Sequence, residues 1–246
     1  MESSNKDSLS AKQWGSIYNR DNQLKNLLNS IYSKKLSDWT KEMLRIVVPG
    51  KKTLEIGSGS GQTSLCLAQA GCDVTILDFS EDALELASCA ANILRVDLGV
   101  VCHDARLPLP FKEKEFDIIF HAGLLEHFDY TERVELLKQW KPYCKMMVSM
   151  IPNAASLCYR IGKENQETNG TWLWGKETPH YTQIREFISA GYNVSGEYTI
   201  GEQHALNFLE PENPLRILMS EFWQKRQNDG LLDNFHQGYL LVTIGE

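Results

Sequence analysis

Short apolar runs alternate with segments of helical periodicity from Thr53 to about Ile151. Five runs are short and rich in apolar and β-branched residues, as buried strands are: KTLEIG, CDVTILD, LGVVCHD, FDIIFHA and KMMVSMI. Three segments between them favour helices: GQTSLCLAQAG, SEDALELASCAANIL and YTERVELLKQW. Buried strands that alternate with helices need crossover connections. The pattern therefore predicts an α/β fold whose parallel sheet carries helices on both faces.

The flanking segments have different patterns. KKLSDWTKEMLRIVVPG places its apolar residues on one helical face, and Pro49 and Gly50 end that helix. PNAASLCYRIGKENQETNGTWLWGKETPH is aromatic and rich in turn formers, which favours a lid over a strand. Helices are expected in TQIREFISAG and PENPLRILMSEFWQKRQ, and strands in YNVSGEYTIG and GYLLVTIG. We predict a single domain that has an N-terminal helical cover at residues 1–50 and a core at residues 51–152. A helical and aromatic lid insert, followed by the C-terminal strands, is expected at residues 153–246.

The composition is that of an ordinary globular protein, with 42% hydrophobic and 23% charged residues among 246. A net charge of −7 argues against extended binding to nucleic acid, which needs a basic surface. MESSNKDSLS lacks the layout of a signal peptide, and no apolar run reaches membrane-spanning length, so we expect a cytoplasmic protein that binds no membrane. None of the six cysteines forms a C-x-x-C pair, so we expect buried, reduced thiols rather than a zinc site or disulfides.

The stretch TLEIGSGSGQTS places three glycines between the first predicted strand and its helix. Gly57, Gly59 and Gly61 form G-x-G-x-G, a turn in which a ligand can approach the backbone and the N–H groups of the helix start. The dinucleotide fingerprint G-x-G-x-x-G is not matched, because Gln62 stands where its third glycine would be. A phosphate-binding P-loop is excluded, since no Gly-Lys-Ser/Thr sequence follows.

Polar residues also end the next predicted strands. Asp78 ends the second strand, where an acid can accept hydrogen bonds from both ribose hydroxyls of a nucleoside. Asp104 ends the third strand, in HDARLPLPF, and FDIIFHAGLLEHF closes the fourth. Because the carboxyl ends of parallel strands share one edge of the sheet, these segments and the glycine loop predict a ligand site there. Taken alone, Asp78 could equally cap the helix that begins at Ser80.

In order and spacing, the segments LEIGSGSG, LDFSEDAL, HDARLPLPF and FDIIFHAGLLEHF resemble the class I S-adenosyl-L-methionine (SAM)-dependent methyltransferases, across roughly residues 50–150. The resemblance implies a Rossmann-like seven-stranded sheet of order 3-2-1-4-5-7-6 that is mostly parallel, with the last strand antiparallel. It also implies SAM as the methyl donor and S-adenosyl-L-homocysteine as the product. Residues 51–152 would then be the SAM-binding core.

Carried over position by position, the resemblance implies which residues bind the cofactor. The residues implied around the methionine part of SAM are Glu55, Gly57, Ser58, Gly59 and Gly61. The residues implied around the adenosine part are Asp78 at the ribose hydroxyls, Phe79 and Ala105 beside the adenine, and Asp104 at its amino group.

Two further pairs complete the implied cofactor site. His121 and Gly123 would line the path to the sulfonium. Trp14 and Tyr18 resemble the aromatic stretch with which relatives cover the cofactor. The alternative for this second pair is that it serves only the core packing of its helix.

Methyl transfer from a sulfonium is an in-line displacement, so the protein mainly supplies alignment and exclusion of water. A general base helps when the acceptor is a hydroxyl or a protonated amine. His127, in LLEHF, is the first candidate base, and His180, in the predicted lid, is the second. His127 could instead hold its loop through hydrogen bonds.

LLEHF also raises the question of a metal. Some relatives, such as ubiquinone-pathway O-methyltransferases and small-RNA end methyltransferases, bind a divalent ion through an E-x-x-E-H motif. Glu126 and His127 match its last two positions, whereas Gly123 replaces the first glutamate. The loss of one oxygen ligand weakens a site for a hard cation, so we expect no bound metal.

The methyl acceptor is expected to be a small molecule. The fourth strand ends in HAGL and lacks the Asn/Asp-Pro-Pro-aromatic signature of enzymes that methylate exocyclic amines of nucleic acids. Four aromatic residues of the predicted lid could wall an apolar pocket above the methyl group: Tyr159, Trp172, Trp174 and Tyr181. Alternatively, they attach the lid to the domain.

The sequence thus predicts a SAM-dependent methyltransferase that acts on a small molecule. One alternative is a methyltransferase-like protein that binds SAM or S-adenosyl-L-homocysteine without turnover and regulates a partner, because binding residues remain when turnover is lost. A nicotinamide oxidoreductase is a second alternative, which Gln62 and the other motifs disfavour.

Overall fold

The computed structural model describes residues 10–18, 22–227 and 236–246. Within these ranges the seven strands are Lys52–Ile56 (β1), Asp73–Asp78 (β2), Gly99–Cys102 (β3), Phe116–Ala122 (β4), Cys144–Pro152 (β5), Val194–Ile200 (β6) and Leu240–Gly245 (β7). The ten α-helices of the same ranges are Ala11–Tyr18 (α1), Gln23–Tyr32 (α2), Asp38–Ile46 (α3), Gln62–Gln69 (α4), Glu81–Leu94 (α5), Tyr130–Trp140 (α6), Leu157–Thr168 (α7), Ile184–Ser189 (α8), Glu202–Leu206 (α9) and Pro214–Gln227 (α10).

The strands form one mixed sheet of order β3-β2-β1-β4-β5-β7-β6. The first five strands in this order pair in parallel, and β7 runs antiparallel to both β5 and β6. The predicted strand order and the antiparallel last strand are therefore confirmed. The chain moves outward from β1 in both directions, so the order reverses between β1 and β4. In open α/β sheets this reversal opens a crevice beyond the carboxyl ends of the strands.

Both faces of the sheet are buried under helices, as the alternation of strands and helices predicted. On one face Ile119 of β4 lies in a cluster with Trp140 of α6 and Phe187 of α8. On the other face Phe120 of β4 lies in a cluster with Met43 of α3 and Leu67 of α4. Neighbouring strand residues point to opposite faces, so a strand buried on both sides reads as a continuous apolar run.

Two helix starts follow from local sequence. The Ser80 hydroxyl accepts a hydrogen bond from the Ala83 N–H and caps α5, as predicted. At α6, the Asp129 side chain accepts from the Glu132 N–H, and the Glu132 carboxylate accepts from the Asp129 N–H. These caps satisfy N–H groups that have no partner within the helix.

The segment between β5 and α8 is more regular than its turn-rich composition suggested, because it contains α7. Cys158 of α7 is buried in a cluster with Leu206 of α9 and Trp223 of α10. This cluster is separate from those on the sheet. The three helices thus form their own small apolar centre beside the carboxyl edge of the strands.

The expectation for the cysteines was half right. All six are free thiols, but Cys89 and Cys102 are exposed and only Cys66 and Cys158 are fully buried. Cys102 belongs to β3, which lies at the edge of the sheet, so its apolar sequence context did not make it a core residue. None of the described helices combines the length and the apolar character needed to cross a membrane.

Candidate functional site

The ends of β1 and β2 are tied together at the switch point of the sheet. The Asp78 carboxylate accepts one hydrogen bond from the Gly59 N–H and another from the Ser80 N–H, both at 2.9 Å. The Gly57 N–H donates to the Leu77 carbonyl at 2.8 Å. The glycine loop and the acid that the sequence singled out therefore lie side by side.

The glycine loop has a backbone that side chains tolerate poorly. Gly57, Gly59 and Gly61 have φ values of 68°, 51° and 69°, in the left-handed region. A Cβ atom at Gly59 would clash with the hydroxyl of Tyr18, and one at Gly61 would lie 2.9 Å from the Cβ of Ala87. The loop is thus enclosed by α1 on one side and by α5 on the other.

Two carboxyl groups lie at the base of this loop. Glu55 is 5% exposed and accepts a hydrogen bond from the Ser64 hydroxyl at 2.5 Å. Burial raises the pKa of Glu55 to about 8, with a smaller contribution from nearby Asp78. Burial also raises the pKa of Asp78, against the opposing effect of the N–H groups that it accepts. A cationic ligand group beside these carboxyls would favour their charged form.

Several buried polar atoms near the strand ends have no hydrogen-bond partner among the described residues. They include the Ser58 hydroxyl in the glycine loop and both ring nitrogens of His121 at the end of β4. Burial lowers the pKa of His121 to about 3, so its ring is neutral. Unpartnered buried polar groups are costly, and here they lie where the sequence predicted a ligand.

The third strand end is more open. Asp104 forms a two-pronged ion pair with Arg106, with nitrogen–oxygen distances from 2.6 to 3.0 Å, and this pairing lowers the pKa of Asp104. The carbonyl of Ala105 accepts a hydrogen bond from the Trp140 indole at 3.1 Å. Phe79 is 36% exposed beside Asp78. Asp104 and Phe79 thus keep accessible surface at the edge where the adenine is expected.

Helix α1 reaches from the glycine loop to the end of β4. Tyr18 lies against Gly59 at one end of this helix. Trp14, one turn earlier, contacts the His127 ring edge-on at 5.4 Å between ring centroids and lies 6.3 Å from Trp174. The predicted cover residues therefore do touch the strand ends. Burial, with Asp78 and Glu55 nearby, raises the pKa of Tyr18, so its hydroxyl stays protonated.

The two candidate bases have different surroundings. His127 Nδ1 lies 2.8 Å from the Lys176 carbonyl, and because a carbonyl only accepts, Nδ1 carries the proton and Nε2 keeps its lone pair. His180 is bridged to Asn153 at the end of β5 and feels the charges of Arg133 and Glu186. Burial lowers the pKa of both histidines. Both are therefore predominantly neutral at pH 7.

The four aromatic residues of the predicted lid do not form one wall. Tyr159 of α7 is fully buried and packs against Phe208 and Tyr239, with ring centroids 5.0 and 5.1 Å away. The Trp172 indole donates to the Gly175 carbonyl within its own loop. Trp174 lies near Trp14, whereas Tyr181 is 71% exposed to solvent. Trp174 is thus the member that lies beside α1, and Tyr181 is mainly exposed to solvent.

The sequence did not single out Glu177, which the structure brings to the end of β4. Glu177 accepts a hydrogen bond from the Tyr159 hydroxyl and lies beside Glu126 and His127. Burial and the neighbouring Glu177 raise the pKa of Glu126 well above its ordinary value, and burial raises the pKa of Glu177 to about 7. The only sequence signal was an acid within an aromatic loop, in WGKETPH.

Part of the chain matches a known protein family. Residues 53–146 match a family model described as a methyltransferase domain. The chain is 33% identical over 90 residues to the ubiquinone biosynthesis O-methyltransferase of Coxiella burnetii, and 28% identical over 144 residues to the demethylmenaquinone methyltransferase of Bacillus cereus. These matches cover 37% and 55% of this chain, and 38% and 61% of those relatives. The chain thus spans less than two thirds of the length of either relative.

The fold has a counterpart over nearly its whole length. The magnesium protoporphyrin IX methyltransferase of Synechocystis, solved with bound S-adenosylhomocysteine, matches with a TM-score of 0.57 at 13% identity. The match covers 95% of this chain and 92% of that one, and it shows a shared fold. The sheet order and the family match together define a class I methyltransferase fold. Residues 53–146 thus match a methyltransferase domain, and the described part of the chain has the class I methyltransferase fold.

Proposed function

We propose that this chain binds SAM at the carboxyl edge of its sheet and transfers the methyl group to a small molecule. The observation that carries the proposal is the hydrogen bond between Asp78 and Gly59, which joins a buried acid to a glycine loop at the switch point. The structural relative from Synechocystis was solved with the demethylated product of SAM, which supports this choice of ligand.

The residues at this edge suit the polar groups of SAM. The buried carboxyl of Glu55 matches the ammonium of its methionine part, and the Tyr18 hydroxyl can donate to the carboxylate. Asp78 keeps further lone pairs for the ribose hydroxyls beyond the two hydrogen bonds it accepts from the backbone. The Ser58 hydroxyl and the His121 nitrogens would gain partners. These positions were predicted from the sequence, and their roles stay proposals.

Catalysis then rests on alignment. SAM, when bound, supplies an activated methyl group on a sulfonium. The glycine loop and Asp78 would fix its two ends, while Trp14 and Trp174 would exclude water from the space beyond Gly123. A neutral His127 with a free Nε2 could take a proton from the acceptor when no cation occupies that nitrogen.

The acceptor that this surface favours is small and flat. The relatives from Coxiella and Bacillus are named for quinone methylation, and the structural relative for a porphyrin. In this chain Trp14 and Trp174 lie together at the β4 end, where they offer aromatic surface to such a ring. The net charge of −7 disfavours nucleic acid as the acceptor.

Calorimetric titration with SAM, S-adenosylhomocysteine and NAD tests the cofactor. We expect the two adenosyl ligands to bind and NAD to give no heat. Gly59→Ala should abolish binding because its Cβ would overlap the Tyr18 hydroxyl, whereas Gly196→Ala has open space and should bind normally. Equal binding to both variants, or binding of NAD alone, would remove SAM from this site.

A protein that binds SAM without turnover is the second candidate, because a buried glycine loop and acid serve binding and catalysis alike. Transfer of labelled methyl from SAM to a panel of quinols, phenols and porphyrins distinguishes the two functions. We expect label in at least one flat acceptor. SAM binding without any transfer would favour the regulatory protein.

A further inference from the structure

Three side chains at the end of β4 lie at separations suited to a metal ion. Glu126, His127 and Glu177 each offer one ligand atom, and these atoms lie within 4.8 Å of one another. A divalent cation with bonds of about 2.1–2.5 Å holds its ligands roughly 3–5 Å apart. The separations of these atoms are therefore compatible with one shared ion.

Backbone hydrogen bonds hold the three groups together. The Thr178 N–H donates to the Glu126 carbonyl at 2.9 Å, and His127 donates its Nδ1 proton to the Lys176 carbonyl. The residues on either side of Glu177, Lys176 and Thr178, are thus hydrogen-bonded to the turn after β4. The Tyr159 hydroxyl also donates to the Glu177 carboxylate. Hydrogen bonds of this kind orient metal ligands and leave the opposite imidazole nitrogen free.

The charge at this position is not balanced by side chains alone. Glu126 is 3% exposed, and its Oε2 atom has no hydrogen-bond partner among the described residues. Lys163 lies close enough to act on Glu177, but its ammonium pairs with Glu167. Glu177 therefore shares its nearest lysine with Glu167. Burying an unpaired carboxylate is costly, and a cation removes that cost.

We propose that Glu126, His127 and Glu177 bind one divalent metal ion at the carboxyl end of β4. Two carboxylates and one imidazole suit a first-row ion such as Mn²⁺ or Zn²⁺. The sequence argued against a metal because Gly123 lacks the first glutamate of E-x-x-E-H. Glu177, from the loop after α7, supplies an oxygen ligand that this motif does not contain.

The ion would have a role in the proposed reaction, although the site itself does not depend on that function. Three protein ligands leave coordination positions open to water or to an acceptor oxygen. A metal there would acidify an acceptor hydroxyl and orient it, and His127 would then act as a ligand rather than as the base.

Titration of the chelator-treated protein, residues 1–246, with Mn²⁺ tests the site. Loss of the free-ion electron paramagnetic resonance signal reports binding without any turnover. We expect one bound ion, released by Zn²⁺. Binding should weaken at least roughly tenfold in Glu126→Gln and Glu177→Gln, the scale seen when groups supporting a metal are removed. Glu164→Gln, on the exposed side of α7, should bind as the wild type does.

Thermal unfolding of the same proteins shows whether each variant is folded. At the same Mn²⁺ concentration the melting temperature should rise in the wild type and in Glu164→Gln, and should rise less in the two ligand variants. No Mn²⁺ binding by the wild type, or equal binding by the ligand variants, overturns the proposal. SAM titration of these samples keeps the two proposals separate, because it reports on the glycine loop.

Discussion

Asp78 accepts a hydrogen bond from the N–H of Gly59 at 2.9 Å, across the gap between the ends of β2 and β1. The bond joins two positions that are far apart along the chain but adjacent at the carboxyl edge of the sheet. It holds the glycine loop in place before any ligand arrives. The loop is therefore preorganised, and binding need not supply the entropy of ordering it.

Asp78→Asn should destabilise the protein and weaken cofactor binding. An amide oriented to accept from one backbone N–H turns its own NH₂ toward the other, leaving a buried donor unsatisfied at a cost of about 1–3 kcal/mol. Urea unfolding and SAM titration measure the two effects. Asp73→Asn, at the exposed start of the same strand, is the matched control and should change neither. An Asp78 variant as stable as this control would contradict the role assigned to the bond.

Glu55 should make the free protein less stable as the pH rises from 4.5 to about 8. Its pKa in the folded state is about 8, against an ordinary value of 4.5, so the folded state binds more protons than the unfolded state between these values. The free energy of unfolding therefore falls with pH in this window. Glu55→Gln should flatten that fall, as measured by urea unfolding at several pH values.

Glu113→Gln replaces an exposed glutamate and should keep the pH dependence of the wild type. If the Glu55 variant and this control show the same slope, Glu55 is ionised in the folded state. That result would contradict a raised pKa of Glu55 in the folded state.

Arg133 and Glu186 form a buried ion pair at 2.8 Å that joins α6 to α8. Arg133→Met should cost about 3–5 kcal/mol of unfolding free energy, because it leaves a buried carboxylate unpaired. The double variant Arg133→Met, Glu186→Leu should lose less than the single variant. Urea unfolding of the single variants and the double variant gives the coupling energy. Additive losses would show that the pair is not coupled.

Gly162→Ala should loosen the packing of α7 on the turn that follows α9. A Cβ atom at this position would overlap the backbone carbonyl of Phe208, which cannot rotate away as a side chain could. We expect a loss of about 1–3 kcal/mol, the usual cost of overpacking. Gly196→Ala, with open space around its Cβ, should stay within about 0.5 kcal/mol of the wild type. Equal stability of the two variants would contradict the close approach of Gly162 to the backbone of Phe208.

Much of the fold was predictable because its signals are local. The sequence predicted α6 at the bounds that the structure has, and in the structure an Asp129–Glu132 capping box begins that helix. It predicted a helical and aromatic lid but did not locate α7, where turn-forming residues mask a helix that is stabilised by burial against α9 and α10. It also misjudged Cys102, because edge and centre strands differ in their neighbours rather than in their own residues.

Local sequence was sufficient to predict the seven strands along the chain, the glycine loop and the acid that ends β2. Each of these depends on residue types within a few positions of one another. Only the tertiary structure brought Tyr18 onto Gly59 and Glu177 beside Glu126. These contacts join segments distant in sequence, and their geometry depends on how α1 and the loop after α7 pack over the sheet. No local pattern encodes that packing, which is why the third acid of the proposed metal site appeared only in three dimensions.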